Sequence, residues 1–216
     1  MIKLVSDFQF KSSLKMAIYT IFHPFNGFWD LKHEKKGSFL KANLILIMLI
    51  ITFTLRSQFT GFVLDMSEPT DFNLFYQITS LVLPFLMWCI SNWCITTLVD
   101  GEGRFRDIYI TTAYALVPLI LFNIPMVIIS NMITIEESAF YWILDTASII
   151  WSAFLLFSGI LTIHQFSIKK TLLTIVIAIL GMMIMIFILL LFFTLVQNMF
   201  NFCRLIWAEI SIRIGS

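Results

Sequence analysis

Five apolar runs, at about 39–58, 74–99, 108–132, 140–164 and 171–199, constrain this chain more than any other feature. Each has the roughly 20 residues that a helix needs to cross about 30 Å of hydrocarbon at 1.5 Å per residue. Backbone in hydrocarbon must satisfy its own polar groups, so the runs should be helices and the polar stretches between them should mark two faces. Composition agrees, because only 12% of the 216 residues are charged, against about a quarter in a soluble domain. The sequence therefore predicts an all-α integral membrane protein, a five-transmembrane-helix bundle with amphipathic N- and C-terminal helices. Its expected divisions are a juxtamembrane segment at 1–38, the five-span domain at 39–199 and a surface tail at 200–216.

Lys3, Asp7, Lys11 and Lys15 interrupt the first apolar residues. No signal-peptide core forms there, and the first span is the expected targeting element. Phe10, Leu14, Ala17, Ile18 and Ile21 share a helical face with Lys11, Ser12 and Lys15 elsewhere on the wheel. That pattern fits a helix lying in the membrane surface or packed on the protein's own inner face. His23-Pro24 should end it, and Phe25, Phe28 and Trp29 beside the charged run 30–36 should act as interfacial anchors. The longest outer loop, 59–73, holds Gly61, Pro69 and several acids and is too short to fold alone. In the tail, Phe202, Leu205, Ile206, Ile210 and Ile214 alternate with Arg204, Glu209 and Arg213, as in a second surface helix.

Orientation follows from lysine and arginine. Lys3, Lys11, Lys15, Lys32, Lys35, Lys36, Lys41, Arg104, Arg106, Lys169 and Lys170 fall on one side. Only Arg56, Arg204 and Arg213 fall on the other, together with Asp65, Glu68, Asp71, Glu136 and Glu137. The bias predicts a cytoplasmic N-terminus and an outside C-terminus in a cytoplasmic membrane. A net charge of +1 gives no reason to expect a nucleic-acid partner.

The candidate chemistry centres on the hairpin from Asn92 to Pro125. Asn92, Thr96 and Asp100 are spaced i, i+4, i+8 and so share one side of the second span. Such a stripe faces protein or water, and the expected partners are Thr111, Thr112 and Tyr114 on the next helix. It reads either as interhelical glue or as a vestibule for a substrate or ion. Pro84, Pro118 and Pro125 should kink their helices, since each removes a backbone hydrogen bond. Asp145 is a formal charge set inside a span, where it needs a partner or water; Arg56 or Arg204, both near the outer face, should supply an ion pair. Ser148, Ser152 and Gly159 form a small-residue seam for close helix packing, within the chain or against another protein. Cys89, Cys94 and Cys203 lack metal or redox spacing, and His23 and His33 have no second ligand near them in sequence. GEG at 101–103 lacks the strand–helix context of a phosphate loop. No catalytic residue, metal or cofactor is expected.

Two stretches, HPFNGFWDLKHEKKGS at 23–38 and NWCITTLVDGEGRFRDIYITTAYALVP at 92–118, resemble bacterial members of the Yip (Ypt-interacting protein) family. The likeness runs from about His23 to the end of the fifth span. It implies a five-span, non-enzymatic membrane protein with a cytoplasmic N-terminus. Eukaryotic members bind small GTPases and shape or sort vesicle membranes, but their DLYGP and GYG motifs are absent here, so GTPase binding is not carried over. Some bacterial members are encoded near carbohydrate importers, which implies an accessory role beside a transporter. Tyr114 and Pro118 fall where the family often has a Tyr…Pro pair. The resulting expectation is a scaffold or accessory subunit that meets lipid and other membrane proteins or itself. The rival is a small transporter or channel built on the second and third spans.

Overall fold

The computed structural model describes residues 15–34, 36–61 and 73–214. Expectations resting on Phe10, Lys11 and Leu14, on Lys35, and on Pro69 with the acids Asp65, Glu68 and Asp71 fall outside the described residues. So do the tail contacts of the side chains beyond Trp207. The helices are α1 (residues 15–22), α2 (Pro24–His33), α3 (Phe39–Phe59), α4 (Leu74–Leu98), α5 (Phe105–Ala115), α6 (Val117–Ser130), α7 (Ser138–His164) and α8 (Ile168–Ile214). A 3-10 turn at Ile135–Glu137 leads into α7. The described residues contain no strand. Five helical stretches are long and apolar enough to cross a membrane, with α5 and α6 together forming the third.

Local chemistry sets the boundaries. Ser38 accepts the Lys41 N–H at 3.2 Å and starts α3; Asn73 accepts from the N–H groups of Phe75 and Tyr76 and starts α4. Each satisfies a donor that the first turn of a helix leaves orphaned. Pro24 occupies the first position of α2, where its missing N–H costs nothing. The third span breaks outright at Leu116, ahead of Pro118, and resumes as α6. Pro84, by contrast, is absorbed within an unbroken α4. Pro118 is buried while Pro125 is exposed, so the two lie on different surfaces of the third span.

α5 lies at the centre, against α2, α3, α4 and α7. Ile108, Ala113, Tyr114 and Ala115 of α5 are fully buried, with Leu155 of α7 and Phe28 of α2 in the same core. Phe28 is thus a core residue and not an interfacial anchor: its ring reaches Gly159, where an added Cβ would sit 2.4 Å from Thr111 Cγ2 and 3.3 Å from Phe28 Cζ. Ser148, Ser152 and Gly159 are all buried, so the small-residue seam is used inside the chain. Trp29, one residue from Phe28, is half exposed and stacks on His33.

α8 stands apart. It runs 47 residues without a break, where the sequence suggested a boundary near 199. Only 6% of its most apolar window is buried, against 50% for the third span. It leans chiefly on α4, where Ser91 Oγ donates to the Ala178 carbonyl at 2.6 Å and Gly181 lies against the same hydroxyl. Small residues there let the two backbones approach closely.

Candidate functional site

Polar groups gather at both ends of the bundle, and a stripe that is buried at Asn92 and Thr96 runs inward from the lysine-rich turn. At one end, Arg56 in the last turn of α3 reaches Asp145 on α7, with Nη1–Oδ1 at 2.6 Å and Nη2–Oδ2 at 3.2 Å. Nη1 also donates to Asn123 Oδ1 of α6 at 2.6 Å, while Asn123 Nδ2 donates to the Leu119 carbonyl at 2.7 Å. That second bond fixes the amide so that its oxygen faces the guanidinium. The Tyr141 ring lies 5.7 Å from Arg56 Cζ, within cation–π range. The carboxylate and guanidinium are mostly shielded, at 14% and 22% exposure, which makes two-pronged pairing the way to hold both charges. Of the two candidate partners for Asp145, the structure brings Arg56; Arg204 is exposed on the far part of α8.

The stripe of α4 differs from its expected form. Asn92 and Thr96 are fully buried, yet they do not bond across to α5. Thr96 Oγ1 donates to the Asn92 carbonyl at 2.8 Å, and Thr112 Oγ1 to the Ile108 carbonyl at 2.8 Å. Hydroxyls four residues after a carbonyl on the same helix find that acceptor first. Thr111 instead lends its methyl to the contact with Gly159, and Tyr114 is wholly enclosed in the core. Both amide atoms of Asn92 are buried with no hydrogen-bond partner among the described residues. Asp100 is exposed and takes φ 55° at the turn after α4. The cross-helix bonds come from other residues: Ser91 to α8, as above, and Tyr109 OH to Asn43 Oδ1 at 2.6 Å.

At the lysine-rich end, the turn 101–103 closes over His164, the last residue of α7. Gly103 N–H donates to His164 Nδ1 at 3.2 Å. An added Cβ would lie 2.5 Å from Nδ1 at Gly101 and 2.6 Å from Cε1 at Gly103, so only glycine lets this backbone lie on the ring. Accepting at Nδ1 places the ring hydrogen of a neutral imidazole on Nε2, which is buried without a partner among the described residues. Lys32 of α2 clamps the same corner, donating to the Ile163 carbonyl at 2.7 Å and to Glu102 at 3.3 Å; Glu102 also accepts from Gln165 Nε2 at 2.9 Å. In the sequence Lys32 counts only toward the charge bias, and His164 has no assigned role. The available signal was the glycine pair at i, i+2, which permits a ring to approach, together with a histidine closing a span. No group of three metal-ligating side chains occurs among the described residues.

Five apolar spanning helices, a core built on the broken third span and polar locks at both ends define a multi-pass α-helical membrane protein. More narrowly, the chain belongs to the Yip1 domain family, whose sequence profile matches residues 18–198. That match takes in the end of α1, all of α2 to α7 and the first two thirds of α8. Comparison with curated proteins and with solved structures yields no match.

Proposed function

We propose that this Yip1-domain protein is a non-enzymatic scaffold or accessory subunit of a membrane complex, placed in a bacterial cytoplasmic membrane beside a transporter such as a carbohydrate importer. The observation that carries the reading is α8, a long apolar helix that leans on α4 and more lightly on α7, and leaves most of its apolar surface uncovered among the described residues. The charges at membrane depth, Arg56 and Asp145, are spent on locking the bundle, which supports a passive frame over a reactive site. In this reading the lysine-rich end faces the cytoplasm, as the charge bias favours. Co-purification and in-membrane crosslinking from positions along α8, such as Leu190→Cys or Met199→Cys, test it. Specific crosslinks to another protein or to a second copy are expected; a chain that is always alone and monomeric overturns the proposal.

A transporter remains a second reading because of Asn92, whose enclosed amide could greet a polar solute. A flux assay on the reconstituted protein separates the two: solute movement abolished by Asn92→Ala favours transport, and absence of flux in the parent chain removes it.

A further inference from the structure

Three helix ends meet at the lysine-rich end of the bundle and leave an open cleft of about 580 Å³. Its polar wall comprises Lys32 and His33 from α2, Glu102 and Arg104 from the turn after α4, and Arg106 and Asp107 from α5. The two carboxylates are already committed. Glu102 Oε2 holds Lys32 and Gln165, and Asp107 Oδ2 accepts the Arg104 backbone N–H at 3.1 Å. Lys32 is likewise engaged, with the Ile163 carbonyl as well as Glu102. His33 stacks on Trp29. The two arginines differ from these neighbours: both are exposed, and neither has an ion-pair partner among the described residues.

A guanidinium offers a planar fork of N–H donors that fits phosphate oxygens two at a time. Two such forks, two residues apart, border one concavity at the start of α5, where the partial positive charge of the helix end adds to theirs. The cleft also borders Gly37, just ahead of α3, so it lies where two spans enter the hydrocarbon. That is the depth of lipid headgroups. Its volume falls within the range of small-molecule sites, about 300–1,000 Å³, enough for a phosphate with a glycerol- or sugar-sized substituent.

We propose that Arg104 and Arg106 bind a phosphate-bearing anion in this cleft. Anionic lipid headgroups and soluble phosphorylated metabolites share that chemistry, and the test distinguishes them. The full chain, purified in a neutral maltoside detergent at fixed ionic strength, is titrated with dihexanoyl phosphatidylglycerol, dihexanoyl phosphatidylcholine or inorganic phosphate. Bound species are read by native mass spectrometry and by the shift in Tm. Saturable binding of phosphatidylglycerol or phosphate, but not of phosphatidylcholine, is expected. Arg104→Gln/Arg106→Gln should weaken it by about tenfold or more, the scale of one or two charge-assisted hydrogen bonds. Lys169→Gln/Lys170→Gln removes the same charge at the same end from side chains that do not line the cleft, and should leave the affinity within about threefold, as expected for solvent-screened charges without direct contact. Binding of phosphatidylglycerol without phosphate assigns the site to lipid; equal binding of both assigns it to soluble anions. Arg106→Gln alone, which leaves the N-cap position of α5 unchanged, serves if the double variant does not fold. No anion binding, equal binding of phosphatidylcholine, or equal weakening by the two lysine replacements overturns the proposal.

Discussion

At one end of the bundle, Arg56, Asp145 and Asn123 come from three helices and pair at 2.6–3.2 Å. At the other end, Lys32, Glu102 and Gln165 form a comparable network, but among the described residues it surrounds a histidine whose Nε2 has no partner and borders an open cleft flanked by two arginines outside any ion pair. The first cluster has spent its charges on one another, so its value is structural. The second holds charge in reserve, and reserved charge at a membrane surface is what a ligand or partner can use. Depth explains the contrast. Asp145 sits within a span, where an unpaired charge is costly, whereas Arg104 ends the turn before α5 and Arg106 lies in its first turn, both exposed.

The largest expected effect breaks the closed end. Arg56→Ala or Asp145→Ala strands a shielded charge and should cost about 3–5 kcal/mol, read from reversible unfolding in mixed micelles. Replacing both, as Arg56→Met with Asp145→Leu, should recover most of that loss. If single and double variants lose equally, the pair is not what holds α3 to α7. Next, Gly103→Ala pushes a methyl into the His164 ring and should cost about 1–3 kcal/mol, as overpacking usually does. The cost should shrink in a His164→Ala background; an unchanged cost would place the strain elsewhere.

The buried stripe gives a smaller effect of opposite sign. Asn92→Leu removes an enclosed amide without partners and should raise stability by about 1–2 kcal/mol. A fall in stability would mean that something satisfies the amide in the membrane, and would strengthen the transport reading. Last, Asp100 occupies a left-handed conformation at an exposed turn, so Asp100→Gly should stabilise by at most about 1 kcal/mol. A loss would give its carboxylate a role that its position does not suggest.

Much of the fold was legible because length and apolarity alone decide what crosses a bilayer. The five runs, the break at His23-Pro24 and the need of Asp145 for a cation all followed from the residues themselves. Phe28 was misread because an aromatic beside lysines looks the same whether it anchors at an interface or docks a short helix on the bundle. The stripe of Asn92, Thr96 and Asp100 was visible, but periodicity cannot say whether a threonine turns to its neighbour helix or to its own preceding turn. His164 is harder to see because it is held by the Gly103 N–H with Gly101 packed on the ring, and the glycine pair is the only mark that backbone contact leaves in the sequence. The end of the fifth span was placed near 199 on polarity, yet no proline or glycine there stops the helix.

That continuity has a geometric consequence. At 1.5 Å per residue, a 47-residue rod is about 70 Å long. Even tilted by about 40°, a helix uses only some 26 residues to traverse a hydrocarbon layer of about 30 Å. Nearly half of α8 must therefore lie beyond the layer that the other four spans define, carrying Phe200, Phe202 and Trp207 with it. A bilayer of uniform thickness cannot cover this helix end to end, so its last turns either project past the hydrocarbon, where Gln197, Asn198, Asn201 and Arg204 meet water, or bend along its surface.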